Sequence, residues 1–377
     1  MGGIFRHVRD LAEEHAKAGH QVGILCDSTT GGAYEDRLFE TIMPHLALGL
    51  TRLPIRRSLG PSDVATALKT FGEVKSLQPD VLHGHGAKGG AFVRLIGSRL
   101  RVSRSRVARF YSPHGGSLHY DERTLRGQAY FVIERLLERW TDSLVFVSEY
   151  ERRTYENKIG IPRTSWRLIH NGLRENEFEP VVDDAQAVDF LYIGMMRDLK
   201  GPDVFIEALR RAEQLAGQPL RGVMVGDGED KPRYQARLDL LGMGDRVKMH
   251  DAMPAREAFA LARTVVIPSR AESMPYIVLE AVAAGKPVIS TEVGGIPEIL
   301  GKGFAGFVPP GDIEALGGAM AHVIADPRWL PDAMPEMDAF RANFSAQTMA
   351  DRMAALYRDC LDGRLRDSRQ HGTSSLS

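Results

Sequence analysis

The sequence predicts an α/β protein of two doubly wound, Rossmann-like domains that face each other across a cleft. Short apolar strands alternate with helices along the 377 residues, which is the pattern of parallel sheets covered by helices. The hydrophilic, acidic segment 177–187 interrupts this alternation and is predicted to be a linker between the domains. A chain of this length has room for about two domains, each with its own core.

The first domain is predicted over residues 1–176. It begins with a helix over residues 4–18 and a strand over residues 22–26, followed by a largely irregular segment over residues 28–60. A buried parallel strand over residues 80–86 then runs into a glycine loop. The remaining elements of this domain are predicted as helices at residues 61–77, 89–100, 125–141 and 150–158, and as strands at residues 48–53, 107–111 and 143–147.

The second domain is predicted over residues 188–340 and opens with a strand at residues 190–194. Pro202 marks the start of its first helix, because proline needs no backbone donor in a first turn. Residues 341–362 are predicted to contain a final helix, and the charged, Ser- and Gly-rich residues 363–377 a disordered tail. Other elements of this half are predicted as helices at residues 202–216, 256–262 and 345–361, and as strands at residues 222–226, 247–250, 264–267 and 288–289.

The order of elements at the N-terminus departs from that of an ordinary doubly wound domain. Such a domain opens with a strand, a glycine-rich turn and a helix, and the first strand lies at the centre of the sheet. Here Gly2 and Gly3 directly precede the first helix, so the expected first N-terminal strand is missing. We therefore expect the full protein to begin upstream of Met1. A sheet rearranged so that residues 22–26 take the central place is the alternative.

Histidines follow two strands of the first domain. His83 and His85 end the strand at residues 80–86, and His114 follows the strand at residues 107–111, where ligands collect in open α/β sheets. We expect no metal site from these histidines. Their loops follow different strands, and no carboxylate or cysteine joins them at the spacing of metal ligands.

The segment 268–290 carries the strongest chemical signal of the chain. It reads as strand, loop, short helix and strand, with Glu272 just before the helix and Glu280 on its body. Backbone N–H groups at a helix N-terminus favour an anion, which makes Ser273 and Met274 candidate phosphate-binding residues. Two carboxylates so placed suit the hydroxyl groups of a nucleotide sugar. On spacing alone, an acidic flank and a solvent-facing glutamate are an open alternative.

Glu272 and Glu280, followed by Ala-x-Ala-x-Gly-x-Pro-Val-Ile, resemble the E-x7-E signature of retaining glycosyltransferases of family 4, which have the GT-B fold. The resemblance covers most of the chain. It implies transfer of a hexosyl unit from a nucleotide diphosphate sugar to a carbohydrate or lipid-linked acceptor, in the synthesis of a cell-surface polysaccharide or glycolipid. In that fold the first domain takes the acceptor, the second binds the nucleotide sugar, and the final helix crosses back onto the first domain.

The resemblance also implies roles for single residues. Glu272 would hold the transferred sugar, Glu280 the ribose, and His114 would lie near the reacting centre. His114 and Glu272 are therefore the candidate catalytic residues. Gly3 is a further candidate for the diphosphate, because a glycine pair lets a phosphate approach the N-terminus of the first helix closely.

Arg197 and Lys200 flank the turn after the strand at residues 190–194, where a guanidinium and an ammonium can neutralise a diphosphate without a metal. Family 4 commonly has an arginine directly after the glycine of this turn and a lysine six residues after it. Lys200 matches that lysine counted from Gly194, but Met195 stands at the arginine position and Arg197 is displaced by two. Two solvated loop cations are the alternative. We expect a nucleotide diphosphate sugar as the donor substrate, with no metal and no cofactor.

Composition bounds the compartment and the partners. Cys26 and Cys360 are the only cysteines, too few for a disulfide framework, so a reducing, cytoplasmic compartment is expected. The sequence has no uninterrupted apolar stretch of about 18 residues that would span a membrane. Residues 52–110 carry 12 basic and 3 acidic side chains, which predicts peripheral contact with the anionic inner face of a membrane; solvated arginines are an open alternative. We expect no nucleic-acid partner.

Two other functions remain open on the sequence alone. A sugar-nucleotide epimerase or phosphorylase on the same architecture would be distinguished by its products with and without an acceptor. A non-catalytic scaffold would bind the donor without transferring its sugar. The sugar and the acceptor do not follow from the fold, because function sits in loops grafted onto it.

Overall fold

The structure is a computed structural model that describes residues 2–29, 32–55, 62–102 and 105–363. The chain divides into two compact units. Unit 1 holds the chain up to Gly172 and again from Ala346, and unit 2 holds Leu173–Ser345. The tail predicted over residues 363–377 lies outside the described residues except for Gly363.

Helices and strands alternate through both units. The helices of the described residues are α1 (Gly3–Lys17), α2 (Gly32–Ile42), α3 (Ser62–Leu77), α4 (Gly86–Gly97), α5 (Leu125–Leu137), α6 (Glu149–Lys158), α7 (Pro202–Ala216), α8 (Lys231–Leu240), α9 (Ala255–Ala260), α10 (Tyr276–Ala283), α11 (Ile296–Leu300), α12 (Ile313–Ala325), α13 (Met337–Phe344) and α14 (Ala346–Leu361). The strands of the same residues are β1 (Ile24–Asp27), β2 (Leu50–Leu53), β3 (Val81–His85), β4 (Arg101–Val102), β5 (Ser105–Arg106), β6 (Ala108–Ser112), β7 (Ser143–Phe146), β8 (Ser165–Leu168), β9 (Val188–Ile193), β10 (Gly222–Val225), β11 (Val247–His250), β12 (Ala262–Ile267), β13 (Val288–Thr291) and β14 (Phe307–Val308).

Unit 2 is built on a sheet of six parallel strands in the order β11-β10-β9-β12-β13-β14. Phe190, Leu191 and Val265 of its central strands are fully buried, as expected where helices cover both faces of a sheet. From β9 the chain builds outward through β10 and β11, and then returns to β12 on the other side of β9. Strand order therefore reverses between β9 and β12, and doubly wound sheets bind ligands at the carboxyl ends of such a strand pair.

Unit 1 contains a four-stranded parallel sheet in the order β3-β6-β7-β8 and a separate parallel pair, β1 with β2. Among the described residues β1 pairs with β2 alone, so the alternative in which residues 22–26 take the centre of the larger sheet is wrong. β3 and β6 are direct neighbours, and His85 is opposite Ser112 in their register. Their carboxyl ends therefore lie side by side.

The last helix, α14, belongs to unit 1. Its residues Met349 and Met353 pack in one apolar core with Leu11 of α1, Phe110 of β6 and Val145 of β7. Helices α1 and α14 thus bury apolar side chains of the four-stranded sheet, although they come from the two ends of the described chain.

The segment 28–60 is more regular than the sequence predicted, because α2 occupies Gly32–Ile42. Phe39 and Ile42 are buried from this helix, in a cluster with Ala12 of α1. So few apolar positions are a weak periodic signal. Helices α8 and α13 were also missed, and each buries one pair of side chains four residues apart: Tyr234 with Leu238, and Phe340 with Phe344.

Part of the basic segment 52–110 lies inside unit 1. Arg94 and Arg109 are buried, and each is paired with a carboxylate: Arg94 with Glu134 at 2.7 Å, and Arg109 with Asp142 at 3.1 Å. A buried ion pair is neutralised within the protein and cannot attract lipid. These two arginines therefore do not contribute to the predicted membrane contact. Residues 56–61 and 103–104 of the segment lie outside the described residues. Over the ranges that the structure describes, no helix is both long and apolar enough to cross a membrane.

Candidate active site

Two loops of unit 2 meet where its strand order reverses. The loop after β9 ends at Gly201, and the loop after β12 begins at Pro268. The backbone N–H of Arg270 donates to the Leu199 carbonyl at 2.9 Å and joins the two loops. Gly201 has a φ of +70°, and a Cβ here would lie 2.1 Å from the Pro268 carbonyl oxygen. Only glycine permits this close approach.

Lys200 and Glu272 lie at the centre of this meeting point. Lys200 Nζ is 2.5 Å from Glu272 Oε1, and Ser269 Oγ donates to the same oxygen at 2.7 Å. The side chain of Glu272 is 7% exposed and that of Lys200 is 24% exposed. Water screens a pair this little exposed only weakly, so the ion pair holds both side chains in place. The fold thus brings together two predicted site residues from different loops.

A third loop, after β13, fixes the backbone of Glu272. A Cβ on Gly294, whose φ is +62°, would lie 2.0 Å from the Glu272 carbonyl oxygen. The backbone N–H of Gly295 donates to the Ser273 carbonyl at 2.7 Å. Gly294 therefore permits a close approach, and the loop after β13 holds the backbone of Glu272 and Ser273 in place.

Helix α10 follows directly. Pro275 is its N-cap and Tyr276 its first residue. Met274 is buried, and the buried hydroxyl oxygen of Ser273 has no hydrogen-bond partner in the described ranges. A buried hydroxyl without a partner is costly, and a phosphate oxygen would relieve that cost.

Glu280 and Arg197, the other residues predicted on this side, differ in their surroundings. Glu280 lies on the second turn of α10 and is half-buried. Arg197 is exposed, and within the described stretches its guanidinium takes part in no hydrogen bond or ion pair. Met195, at the position where an arginine was expected, is 49% exposed. Arg197 is therefore a second cation of this loop beside Lys200, and its guanidinium is open to solvent.

Gly3 is the first residue of α1 and is exposed. Its N-cap is Gly2, which provides no side chain to cap the helix. The N–H groups of the first turn are thus left without a side-chain acceptor at the cap, which is the feature that made Gly3 a candidate.

His114 lies in a strained turn directly after β6. Its φ is +49° and that of Gly115 is +77°. A positive φ is uncommon for a residue other than glycine and persists where the surroundings enforce it. Here Glu151 holds the turn in this conformation. One of its carboxylate oxygens accepts from the N–H of Gly115 at 2.6 Å, and the other accepts from the N–H of Val147 at 3.0 Å.

His114 belongs to a cluster of histidine rings in unit 1. His85 Nδ1 lies 3.0 Å from His114 Nε2, and the ring of His7 stands edge-on to His114 with a centroid distance of 4.7 Å. Although the loops of His85 and His114 follow different strands, the prediction that this keeps them apart is wrong, because β3 and β6 are neighbours and their carboxyl ends meet. His7 was missed, since it comes from α1 and no sequence spacing links it to the others.

Burial keeps this cluster uncharged. It lowers the pKa of His7 to about 4, and it lowers the pKa of His83, His85 and His114 well below the usual 6.5. Neighbouring histidines lower the pKa of His83, His85 and His114 further, because each disfavours a positive charge on the next. At neutral pH each ring is therefore a neutral imidazole, with one donor and one acceptor nitrogen.

Comparison with known proteins places the chain in a family. The family model "Glycosyltransferase Family 4" matches residues 1–177, and the model "Glycosyl transferases group 1" matches residues 187–326. The chain belongs to the family 4 glycosyltransferases of group 1. The sequence resemblance to this family is confirmed, and the protein is a glycosyltransferase.

Curated relatives cover most of this glycosyltransferase. The alpha-D-kanosaminyltransferase of Streptomyces kanamyceticus is 25% identical over 93% of this chain and 98% of its own. The glycogen synthase of Mycobacterium tuberculosis is 26% identical over 95% of this chain and 91% of its own. The D-inositol 3-phosphate glycosyltransferase of Thermobifida fusca is 29% identical over 75% of this chain and 70% of its own.

Solved structures share the fold of this glycosyltransferase. Sucrose-phosphate synthase from Thermosynechococcus elongatus has a TM-score of 0.76 at 21% identity, over 96% of this chain and 94% of that one. Anabaena Alr3699/HepE in complex with UDP has a TM-score of 0.76 at 18% identity, over 95% of this chain and 96% of that one. The predicted α/β fold class of two Rossmann-like domains is confirmed.

Ser269 of this glycosyltransferase was not predicted as a site residue. It is 2% exposed and lies two residues after the end of β12, where it donates to Glu272. A polar residue within two positions of the end of a buried apolar strand is the signal that would have found it. The neighbouring Arg270 is already engaged by α7, because its guanidinium pairs with Asp203 at 2.6 Å.

Proposed function

We propose that this glycosyltransferase retains the anomeric configuration and moves a hexosyl unit from a nucleotide diphosphate sugar to a carbohydrate or lipid-linked acceptor. Its product would belong to a cell-surface polysaccharide or glycolipid. The observation that carries the proposal is the pair of Lys200 with Glu272 at the reversal point of the unit 2 sheet. The pair places a cation for a diphosphate beside a carboxylate for sugar hydroxyl groups.

The donor class has separate support. Anabaena Alr3699/HepE, which shares the fold, has been solved with UDP and with UDP-glucose. In unit 2 the groups that suit a diphosphate are the Lys200 ammonium, the Arg197 guanidinium and the Ser273 hydroxyl. The N-terminus of α10, just after Met274, adds the positive end of a helix dipole. In this proposal Glu280, on the same helix, accepts hydrogen bonds from the ribose.

Catalysis in this proposal depends on stabilising charge. As the bond from the anomeric carbon to the diphosphate oxygen breaks, negative charge builds on the leaving group, and Lys200 and Arg197 neutralise it. Glu272 orients Lys200 and binds hydroxyl groups of the transferred sugar. The resemblance implies attack by the acceptor on the face that the diphosphate leaves, which retains the configuration. In this proposal His114 keeps the role that the resemblance implies, and Gly3 lets the diphosphate approach the N-terminus of α1. The variants His114→Ala and Gly3→Val test these two roles.

No metal is needed in this mechanism, because side-chain cations supply the positive charge. The experiment is to measure release of nucleoside diphosphate from a panel of UDP-, GDP- and ADP-hexoses, with cell extract as the acceptor source and EDTA present. We expect release that depends on the acceptor and survives EDTA. Complete loss that Mn²⁺ restores would contradict the metal-free mechanism. An isomerised donor formed without acceptor would identify an epimerase instead.

We also propose that α5 contacts an anionic membrane surface peripherally. Its outer face exposes apolar side chains, and Leu125 is 87%, Val132 59% and Leu136 45% exposed. Arg126 on the helix and Arg139 just after it are exposed as well. An exposed apolar stripe flanked by basic residues is typical of a helix that lies in a membrane interface.

Sedimentation with liposomes tests the membrane contact. We expect more binding to anionic than to neutral vesicles, and less binding by Val132→Asp. The variant Ile161→Asp is the matched control, because Ile161 is 75% exposed in the same unit but lies outside α5. Equal binding to both vesicle types, or equal losses in the two variants, would contradict a role for α5.

A further inference from the structure

We propose that unit 1 binds a divalent transition-metal ion of the Zn²⁺ class through His7, His85 and His114. One ring nitrogen of each lies within 4.8 Å of the other two. The three rings come from α1, from the end of β3 and from the turn after β6, so the fold and not a local motif assembles them. Imidazole nitrogen is a preferred ligand of Zn²⁺, and three such ligands leave a fourth position open.

One ring nitrogen of His7 is buried and has no hydrogen-bond partner within the described part of the chain. Its Nδ1 lies 3.0 Å from Asn171 Oδ1, which accepts a hydrogen bond, so Nδ1 carries the proton and Nε2 keeps its lone pair. Among the residues that the structure describes, none forms a hydrogen bond with the buried Nε2, and His7 is 1% exposed. An unpaired buried acceptor costs stability, and a bound metal ion would satisfy it. The bond to Asn171 also fixes the ring, as oxygen partners of metal-binding histidines do.

His85 and His114 need only a small movement to join His7. Their facing nitrogens are 3.0 Å apart. In a tetrahedral site with Zn–N bonds of about 2.0–2.1 Å, the ligand nitrogens lie roughly 3.4 Å from one another. The ion would replace the hydrogen bond that now joins the two rings. His85 and His114 are half-buried, so an ion can reach them.

His83 provides an internal contrast. Its ring lies next to that of His85, with a centroid distance of 4.2 Å, yet both of its nitrogens are occupied. Nδ1 lies 2.6 Å from the hydroxyl of Tyr357, and Nε2 lies 2.9 Å from that of Ser112. His83 therefore has no free lone pair for a metal ion. A variant of His83 can show whether metal binding needs the three ligands themselves or only a nearby histidine.

The bound ion would inhibit the enzyme. This consequence rests on the proposed function, in which His114 acts near the reacting centre. While its nitrogen binds a metal, His114 cannot contact the donor sugar. Zn²⁺ is therefore expected to slow transfer, and a chelator to restore it.

Titration with Co²⁺ tests the site without reference to activity. Tag-free full-length protein, first stripped with a chelator, is titrated with Co²⁺, whose visible absorption reports tetrahedral coordination, and Zn²⁺ is then added. We expect one ion per chain and displacement by Zn²⁺. The absence of a visible band, or a band that Zn²⁺ leaves unchanged, would overturn the proposal.

Variants show which histidines hold the ion. His114→Asn and His7→Phe are expected to weaken binding at least about tenfold, because each removes a ligand. Asparagine tolerates the positive φ of position 114, and phenylalanine fills the buried space at position 7. Because each substitution would disturb folding in a different way, a loss of binding in both variants points to the lost ligand. His83→Gln, the matched control, is expected to bind as the parent does. Parent-like binding by His114→Asn and His7→Phe, with folding verified by circular dichroism, would overturn the assignment.

The activity measurement is kept separate from the titration. Inhibition by Zn²⁺ that EDTA reverses, in the parent but not in His7→Phe, supports the consequence for catalysis. Undiminished transfer by the Zn²⁺-saturated parent would overturn that consequence. A chelated parent that transfers no sugar from any donor would contradict the proposed function, while the Co²⁺ result alone decides the site.

Discussion

Lys200 and Glu272 depend on each other. Their side chains meet at 2.5 Å, and Ser269 adds a hydrogen bond to the same carboxylate oxygen. Removing the lysine would leave a carboxylate that is 7% exposed without its cation, which is costly. A variant at position 200 therefore changes stability as well as catalysis, and the two effects have to be measured separately.

Lys200→Ala is expected to lower kcat on the order of 10²-fold or more, because the proposed diphosphate site loses a cation. The measurement is initial rate at saturating donor, together with the midpoint of urea unfolding. Lys248→Ala is the matched control: Lys248 is an exposed lysine of the same unit whose ammonium donates to the Gly244 carbonyl at 3.2 Å. A Lys200→Ala protein that transfers sugar at the parent rate would refute the diphosphate assignment.

His15 makes the stability of unit 1 sensitive to pH. It is 7% exposed, and its Nε2 has no hydrogen-bond partner among the described residues. Burial lowers its pKa from 6.5 to about 4; the charge of His20 lowers it further, and Asp351 acts in the opposite direction. As the pH falls below about 6.5, His15 is therefore protonated in the unfolded chain but stays neutral in the folded protein. The stabilisation is complete above pH 6.5 and is lost as the pH falls toward 4.

Replacing His15 by phenylalanine should therefore flatten the pH dependence of stability. Between pH 7.5 and pH 5 this group alone is expected to lower the free energy of unfolding by about 2 kcal/mol in the parent, and His15→Phe should lack that loss. Urea unfolding at the two pH values measures it. His20→Asn, at an exposed neighbouring position, should keep most of the dependence. An equal fall with pH in His15→Phe and in the parent would show that the buried imidazole is not responsible.

At the level of elements, the sequence predicted where the strands lie along the chain better than which strands are adjacent in the sheet. Buried strands such as Val188–Ile193 and Ala262–Ile267 are apolar runs that a sequence displays directly. Their adjacency in the sheet is not visible in that pattern, because 68 residues and two other strands separate them along the chain. The pairing of Lys200 with Glu272 follows from this adjacency, so each residue could be predicted as a candidate while their contact could not.

The histidine cluster shows the same limit in unit 1. His85 and His114 were recognised at the ends of strands, but they were taken to be separate because their loops follow different strands. The register of β3 with β6 brings them together, and α1 adds His7 from a position far away in sequence. Long-range packing decides this arrangement, and no periodic pattern reports it.

Gly294→Ala tests how far the loop after β13 fixes Glu272. The new Cβ would lie 2.0 Å from the Glu272 carbonyl oxygen, so the loop must move and Glu272 must move with it. We expect a loss of activity greater than the loss of stability explains. Gly303→Ala is the matched control, because Gly303 has a similar positive φ of +78° but no atom within 4 Å of the added Cβ. Equal activity in the two variants would show that strain alone, and not the contact with Glu272, matters.

At the level of the whole molecule, the fold class could be predicted because alternating strands and helices recur along the entire chain. The charge distribution could not be interpreted so simply. Arg94 and Arg109 counted toward a basic surface in the sequence, yet both are buried ion-pair partners, and burial is not visible in composition. The apolar stripe of α5 points to a different surface of unit 1, again because exposure is a property of the fold.

The central claim is retaining transfer from a nucleotide diphosphate hexose at the Lys200 and Glu272 pair. The most direct measurement is nuclear magnetic resonance of the first anomer formed from an α-linked donor in the presence of EDTA, with transfer to water as the acceptor-free reaction. The proposal predicts that the parent forms the α anomer first, and that Lys200→Ala forms it on the order of 10²-fold more slowly. A β anomer as the first product, or equal rates in parent and variant, would contradict the claim.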